Sequence, residues 1–158
     1  MTVEKLNKMS AADAADALKT CCGSSRWVDA MLTHRPFASS DDAIQAADDE
    51  WRQCELEDWY EAFSHHPRIG AQVSGKEAQE QAGAQSASLP VRRQLEDVNR
   101  RYEEKFGHIY IVCATGRTAE EMLAIAEARL GNDPKTELRN AAEEQRKIMQ
   151  IRLRKLLS

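Results

Sequence analysis

Two adjacent histidines precede a proline in the run Phe63-Ser64-His65-His66-Pro67-Arg68-Ile69-Gly70. A histidine is the side chain best matched to proton transfer near neutrality, because its unperturbed pKa of about 6.5 lets it donate or accept there. Pro67 lacks a backbone donor and disfavours helix at the residue before it, so His66 is expected in extended backbone with its ring projecting from a helix end. Gly70 permits a further sharp turn. Adjacent histidines at a helix end also occur as plain polar caps, so other groups must decide between the two readings.

Two such groups stand later in the chain. The segment Gly75-Lys76-Glu77-Ala78-Gln79-Glu80-Gln81-Ala82-Gly83-Ala84 is helical by composition and contains no large apolar residue. It reads either as a solvated polar helix or as one whose small residues let it approach other backbone closely, with Glu77, Glu80 and Gln81 on one face. Arg152 borders the apolar stripe of the last helix, where a charge needs a partner, whether a glutamate, solvent reached by snorkelling, or a bound anion. Together His66, a carboxylate from Glu80 and the Arg152 guanidinium would suffice for acid/base work on a small anionic molecule.

The elements that must position these groups are helical. Ser10 caps a first helix, Trp27, Met31 and Leu32 mark a second, and Ser39-Ser40-Asp41-Asp42 opens a third that runs to Trp51. Leu56, Trp59, Tyr60 and Phe63 fall at helical spacing and predict one buried stripe leading into the histidines. After the alanine-rich segment, Val91, Leu95, Val98, Tyr102 and Phe106 form a stripe closed by Gly107, and Thr118-Ala119-Glu120-Glu121 is a capping-box start for Met122, Leu123, Ile125, Ala126 and Leu130. Asp133-Pro134 begins the last helix, which buries Leu138, Ala141, Ala142, Ile148, Met149, Leu153 and Leu156. Ile109-Tyr110-Ile111-Val112-Cys113-Ala114 is the sole β-like run, too isolated for a sheet, and is read as an extended segment threaded among helices. The expected fold is all-α: one domain over residues 1–158, a bundle of about seven to eight helices with one short extended segment.

Composition narrows the function classes. A net charge of −4 with dispersed signs gives no basic face for nucleic acid or anionic membrane, and no apolar run is long enough to cross a bilayer. With no hydrophobic leader either, a cytoplasmic protein is expected. Cys21, Cys22, Cys54 and Cys113 lack zinc-ligand spacing and read as reduced thiols, Cys113 in the core and one of the Cys21-Cys22 pair open to exposure. No HExxH, GxGxxG or P-loop pattern occurs, so neither metal nor nucleotide cofactor is expected. A metal-dependent hydrolase using His65 and His66 and a non-enzymatic helical interaction module remain as rival readings.

An ordered set of residues then resembles a known family. His66-Pro67-Arg68-Ile69-Gly70, Glu80-Gln81-Ala82-Gly83-Ala84, Asn99 and Tyr102 before Lys105-Phe106-Gly107, Ile111-Val112-Cys113-Ala114 with Gly116-Arg117, and Glu144 with Arg152-Leu153 are similar to the 2-oxo-4-hydroxy-4-carboxy-5-ureidoimidazoline (OHCU) decarboxylases of urate breakdown. His108 and Tyr110 depart from it, standing where more apolar residues are expected, as do Glu77, Ala78 and Gln79 in lacking a serine ahead of the Glu-Gln pair. The resemblance implies an all-helical, cofactor-free enzyme, a homodimer, that converts OHCU to (S)-allantoin and carbon dioxide. It carries the proton-donor role to His66 and the acidic companion's role to Glu80. It also assigns substrate lining to Pro67, to Glu77, Ala78, Gln79 and Gln81, to Ile109, Tyr110, Ile111, Val112 and Cys113, and to Arg152.

Overall fold

The computed structural model of the chain describes residues 1–71 and 73–158. It contains ten helices and no strand among the described residues, so the all-helical expectation holds while the expected count of seven to eight is too low. Two differences account for this. The six residues of α1 (Val3–Lys8), capped by the Thr2 hydroxyl, are too short to show a period. The alanine-rich segment is also broken into α6 (Gly75–Glu80) and α7 (Ala82–Gln85) at Gln81, whose backbone leaves the helical region.

The chain divides into two compact units. The first comprises Met1–His65 with Gln145–Ser158. In it α3 (Ser25–His34) packs against α2 (Ala11–Lys19), α4 (Ser40–Gln53) and α5 (Leu56–Ser64). Ser10, Ser24 and Ser39 each accept a hydrogen bond from the backbone N–H of the third residue of the helix that follows, satisfying one of its unpaired first-turn donors. Trp27 is fully buried and its indole N–H donates to the Ala47 carbonyl at 3.0 Å, which sets α3 on α4. Asp48 on α4 accepts from Arg146 at 3.4 Å and from Gln150, tying the last stretch of chain into this unit.

The expected stripe on α5 is corrected here. Ala62 and Phe63 are buried, but Leu56 is 46% and Tyr60 40% exposed. Helical spacing places these side chains on one face of a nine-residue helix, and only the part that neighbouring helices reach is covered. The cysteines also differ from expectation: Cys21 and Cys22 are both buried, and Cys113 is only half-buried.

The second unit is the continuous stretch His66–Glu144. Its long helix α8 (Leu89–Phe106) carries Pro90 in its first turn and ends at Gly107, whose φ of +79° is the left-handed cap that glycine adopts without a Cβ clash. Leu95, Val98 and Tyr102 are buried along it and Val91 and Phe106 partly so, as the spacing predicts. At about 1.5–3 kcal/mol for each fully buried large apolar side chain, these are major contributors to the unit's stability. α8 packs against α9 (Ala119–Arg129), opened by a reciprocal capping box between Thr118 and Glu121, and α7 packs against α9 as well. The last helix, α10 (Pro134–Leu156), begins in this unit and ends in the first.

Candidate active site

Helix α5 ends at His65, and the chain enters the loop of His66 and Pro67, both half-buried. His65 itself is exposed, with its ring lying over Gly23: a Cβ there would stand 2.6 Å from the ring. Its place is therefore a packing contact that requires a glycine opposite. Beyond His66, the backbone is held by three amide side chains in succession. Asn99 of α8 donates from Nδ2 to the Ile69 carbonyl at 2.9 Å, Gly70 donates from its N–H to Gln81 Oε1 at 3.0 Å, and Gln85 of α7 donates from Nε2 to the Ala71 carbonyl at 2.7 Å. Gly70 sits at φ +89°, a conformation strained for any other residue. Arg68, exposed, pairs with Glu103 at 2.7 Å.

Glu77, Ala78, Gln79 and Glu80 lie on α6, with Glu77, Ala78 and Glu80 half-buried and Gln79 exposed. Gln81 is 4% exposed and its side-chain carbonyl is engaged by Gly70, so it joins the helix of Glu80 to the loop of His66. Two residues on, Gly83 meets the Arg117 carbonyl so closely that a Cβ would stand 2.2 Å from that oxygen. The close backbone approach that small residues permit is thus realised in α7.

The third predicted segment, 109–114, forms neither helix nor ladder. Side chains hold its backbone instead: Arg129 Nη1 donates to the Ile111 carbonyl at 2.7 Å, Cys113 N–H donates to Glu144 Oε1 at 3.2 Å, and Arg117 Nε donates to the Cys113 carbonyl at 3.2 Å. Arg129 is anchored in turn by the fully buried Glu137, which also accepts from Tyr102, Asn132 and Asn140. Burial alone would push the Glu137 carboxyl up, but the hydrogen bonds from Arg129, Tyr102 and Asn132 outweigh it and hold the group below the usual carboxylate range. His108 and Tyr110, read as departures in polarity, are both buried and satisfied: Tyr110 donates to the Met122 carbonyl at 2.9 Å, and His108 Nδ1 lies 3.0 Å from the Ile109 carbonyl. Burial pushes the His108 imidazole below its ordinary value.

One hydrophobic cluster joins these segments. Ile69 of the histidine loop, Ala84 of α7, and Tyr110 and Val112 of the non-helical run are packed with Leu95, Val98 and Met122. The structure therefore brings together the loop, the Glu80–Gln81 turn and the 109–114 run within the second unit; Arg152 lies half-buried on α10 in the first. Thiolate chemistry is disfavoured at two of the cysteines, since burial pushes Cys22 up to about 12 and Cys54 to about 11. Among the described residues, no three or more His, Cys, Asp or Glu side chains are grouped so as to hold a metal ion, and no helix is long and apolar enough to cross a membrane.

Comparison with known proteins bears on what this arrangement is. Residues 7–154 match the family described as OHCU decarboxylase. The chain belongs to the OHCU decarboxylase family. It is 40% identical over 153 residues to the uric acid degradation bifunctional protein TTL of Arabidopsis thaliana, covering 90% of this chain and 47% of that protein. It is 26% identical over 161 residues to a uric acid degradation bifunctional protein of Bacillus sp. (strain TB-90), of which it spans 32%. The chain thus spans about half, or less, of the length of these two relatives. With the 2-oxo-4-hydroxy-4-carboxy-5-ureidoimidazoline decarboxylase of Haloferax volcanii it shares 27% identity over 97% of this chain and 94% of that one. Among solved structures it is similar to an OHCU decarboxylase crystallised in the presence of (S)-allantoin, with a TM-score of 0.82, 40% identity and coverage of 90% of this chain and 97% of that chain. Within this OHCU decarboxylase fold, the residues that sequence reasoning missed are the backbone anchors Gln85, Arg129 and Glu137. Their partners lie many positions away and leave no periodic signal.

Proposed function

We propose that the chain decarboxylates OHCU to (S)-allantoin and carbon dioxide without a cofactor, with His66 as proton donor and Glu80 as its acidic partner. The observation that supports this most directly is the common core in which Ile69, Ala84, Tyr110 and Val112 meet, because it gathers the loop of His66, the turn after Glu80 and the 109–113 lining segment. The family resemblance further assigns substrate contacts to Pro67, to the residues Glu77 to Gln81 and to Arg152.

The chemistry suits these groups. Loss of the carboxylate from C4 leaves an electron pair that the adjacent ring C=N bond accepts, so the substrate is its own electron sink. The C4 hydroxyl then becomes the carbonyl as C5 takes a proton, and the protein's task is to deliver that proton to one face. A histidine held on a fixed loop can do so, while backbone groups pair with the ureido and ring amides. The resemblance also carries a homodimer, which sedimentation of the purified protein tests; a cytoplasmic setting is part of the same proposal.

The deciding experiment supplies freshly generated OHCU and follows the optical activity of the allantoin formed. The protein should yield one enantiomer, whereas the uncatalysed reaction yields racemate. A protein that leaves the product racemic and its rate of appearance unchanged would sink the reading.

A further inference from the structure

The three anchors of the histidine loop differ in kind from most surface contacts. Each is an uncharged amide, and together they hold three consecutive residues, Ile69, Gly70 and Ala71, through backbone atoms alone. Asn99 is the most telling. It is 5% exposed, and a carbonyl opposite it requires the amide nitrogen to face Ile69, which fixes the orientation of the side chain. Its Oδ1 then has no hydrogen-bond partner among the described residues. A buried unsatisfied acceptor carries a desolvation penalty, so for stability alone this is a poor residue at this place. Among the described residues its side chain makes one hydrogen bond, the one to Ile69. A lysine or arginine could make that bond more strongly, but would set a full charge close behind the histidine loop. The neutral amide fixes the backbone without adding a charge of its own.

We propose that Asn99, with Gln85, is a positioning residue for proton delivery: it fixes the loop that carries His66 and so decides which face of the substrate receives the proton. The inference rests on the decarboxylase reading above. Neither side chain belongs to the predicted substrate lining, and the bonds that hold the 109–113 run, from Arg129, Glu144 and Arg117, do not involve them. Of the predicted substrate lining only Pro67 shares the loop they hold, so their loss should disturb the transfer step more than substrate binding.

Asn99→Asp preserves shape but replaces the donor facing Ile69 with a carboxylate, and Gln85→Glu does the same at the half-buried Ala71 contact. For both, folded by circular dichroism, KM should stay within about two-fold while kcat falls about 10- to 100-fold, the usual effect of misplacing a catalytic group by roughly 1 Å. After subtraction of the uncatalysed rate, the enantiomeric excess of allantoin should drop as well. A purely structural role would lower the amount of active protein and leave that excess untouched. Folded Asn99→Asp with undiminished enantiomeric excess overturns the proposal, and should that chain not fold, the same result with Gln85→Glu does so. Selective wild-type protein, racemic product from His66→Gln and fully selective anchor variants would overturn this inference alone, whereas racemic product from the wild type overturns the decarboxylase reading with it.

Discussion

At the level of single residues, His66 and Glu80 are expected to divide the work. An ionised Glu80 would favour the imidazolium and keep a proton available near neutral pH. His66→Gln should then abolish stereoselective product with helical content intact, because the proton source is gone. Glu80→Gln keeps the shape and removes the charge, so the imidazolium should lose its proton at lower pH. Turnover should fall and the alkaline limb of the pH–rate profile should move to lower pH, and a limb that stays in place would exclude Glu80 from setting the donor's protonation. The histidine loop was legible in sequence because Pro67 and Gly70 punctuate it. The residues that hold it were legible only as members of a resemblance, or not at all: Gln81 is assigned to the substrate lining by the resemblance, and the bond its side-chain carbonyl accepts from Gly70, 11 residues back, left no signal.

At the level of elements, the alanine-rich segment is the instructive case. Its lack of large apolar residues left open whether it was solvated or closely packed. The answer is a break at Gln81 with Gly83 set against the Arg117 carbonyl. Gly83→Ala should therefore destabilise the protein, by about 1–3 kcal/mol as for other overpacked sites, even though alanine is the better helix former. Denaturant unfolding measures this, and an unchanged midpoint would contradict the close approach. Strong stripes such as Leu95, Val98 and Tyr102 were readable because periodicity and burial agree there. The α5 stripe misled because spacing says which side chains share a face and is silent on how far neighbours extend over it; Leu56 and Tyr60 lie beyond that cover. Arg129 gave no signal either, since a basic residue in a last helical turn looks the same whether it is solvated or, as here, buried on Glu137.

For the molecule as a whole, acid should act in two steps. His108 is held below its ordinary 6.5 by burial, so the unfolded chain binds a proton first as pH falls past that value, and the stability present above it is lost towards the folded value. Glu137, also lowered, from an ordinary 4.5, contributes stability that is present above that value and lost as pH falls through its folded value. His108→Gln should flatten the upper part of the stability–pH curve. Glu137→Gln should flatten the lower part and, by leaving Arg129 buried without its counter-charge, cost about 3–5 kcal/mol at neutral pH. Chemical denaturation across the pH range separates the two, and parallel curves for wild type and both variants would refute the assignment. The division of the chain into units has a temporal side. On the ribosome every residue of the second unit, His66–Glu144, is made before Gln145–Ser158, the stretch whose Arg146 and Gln150 hold Asp48. The second unit therefore contains no residue made after Glu144, while in the first Asp48 must wait for Arg146 and Gln150 to be made before it gains these two partners.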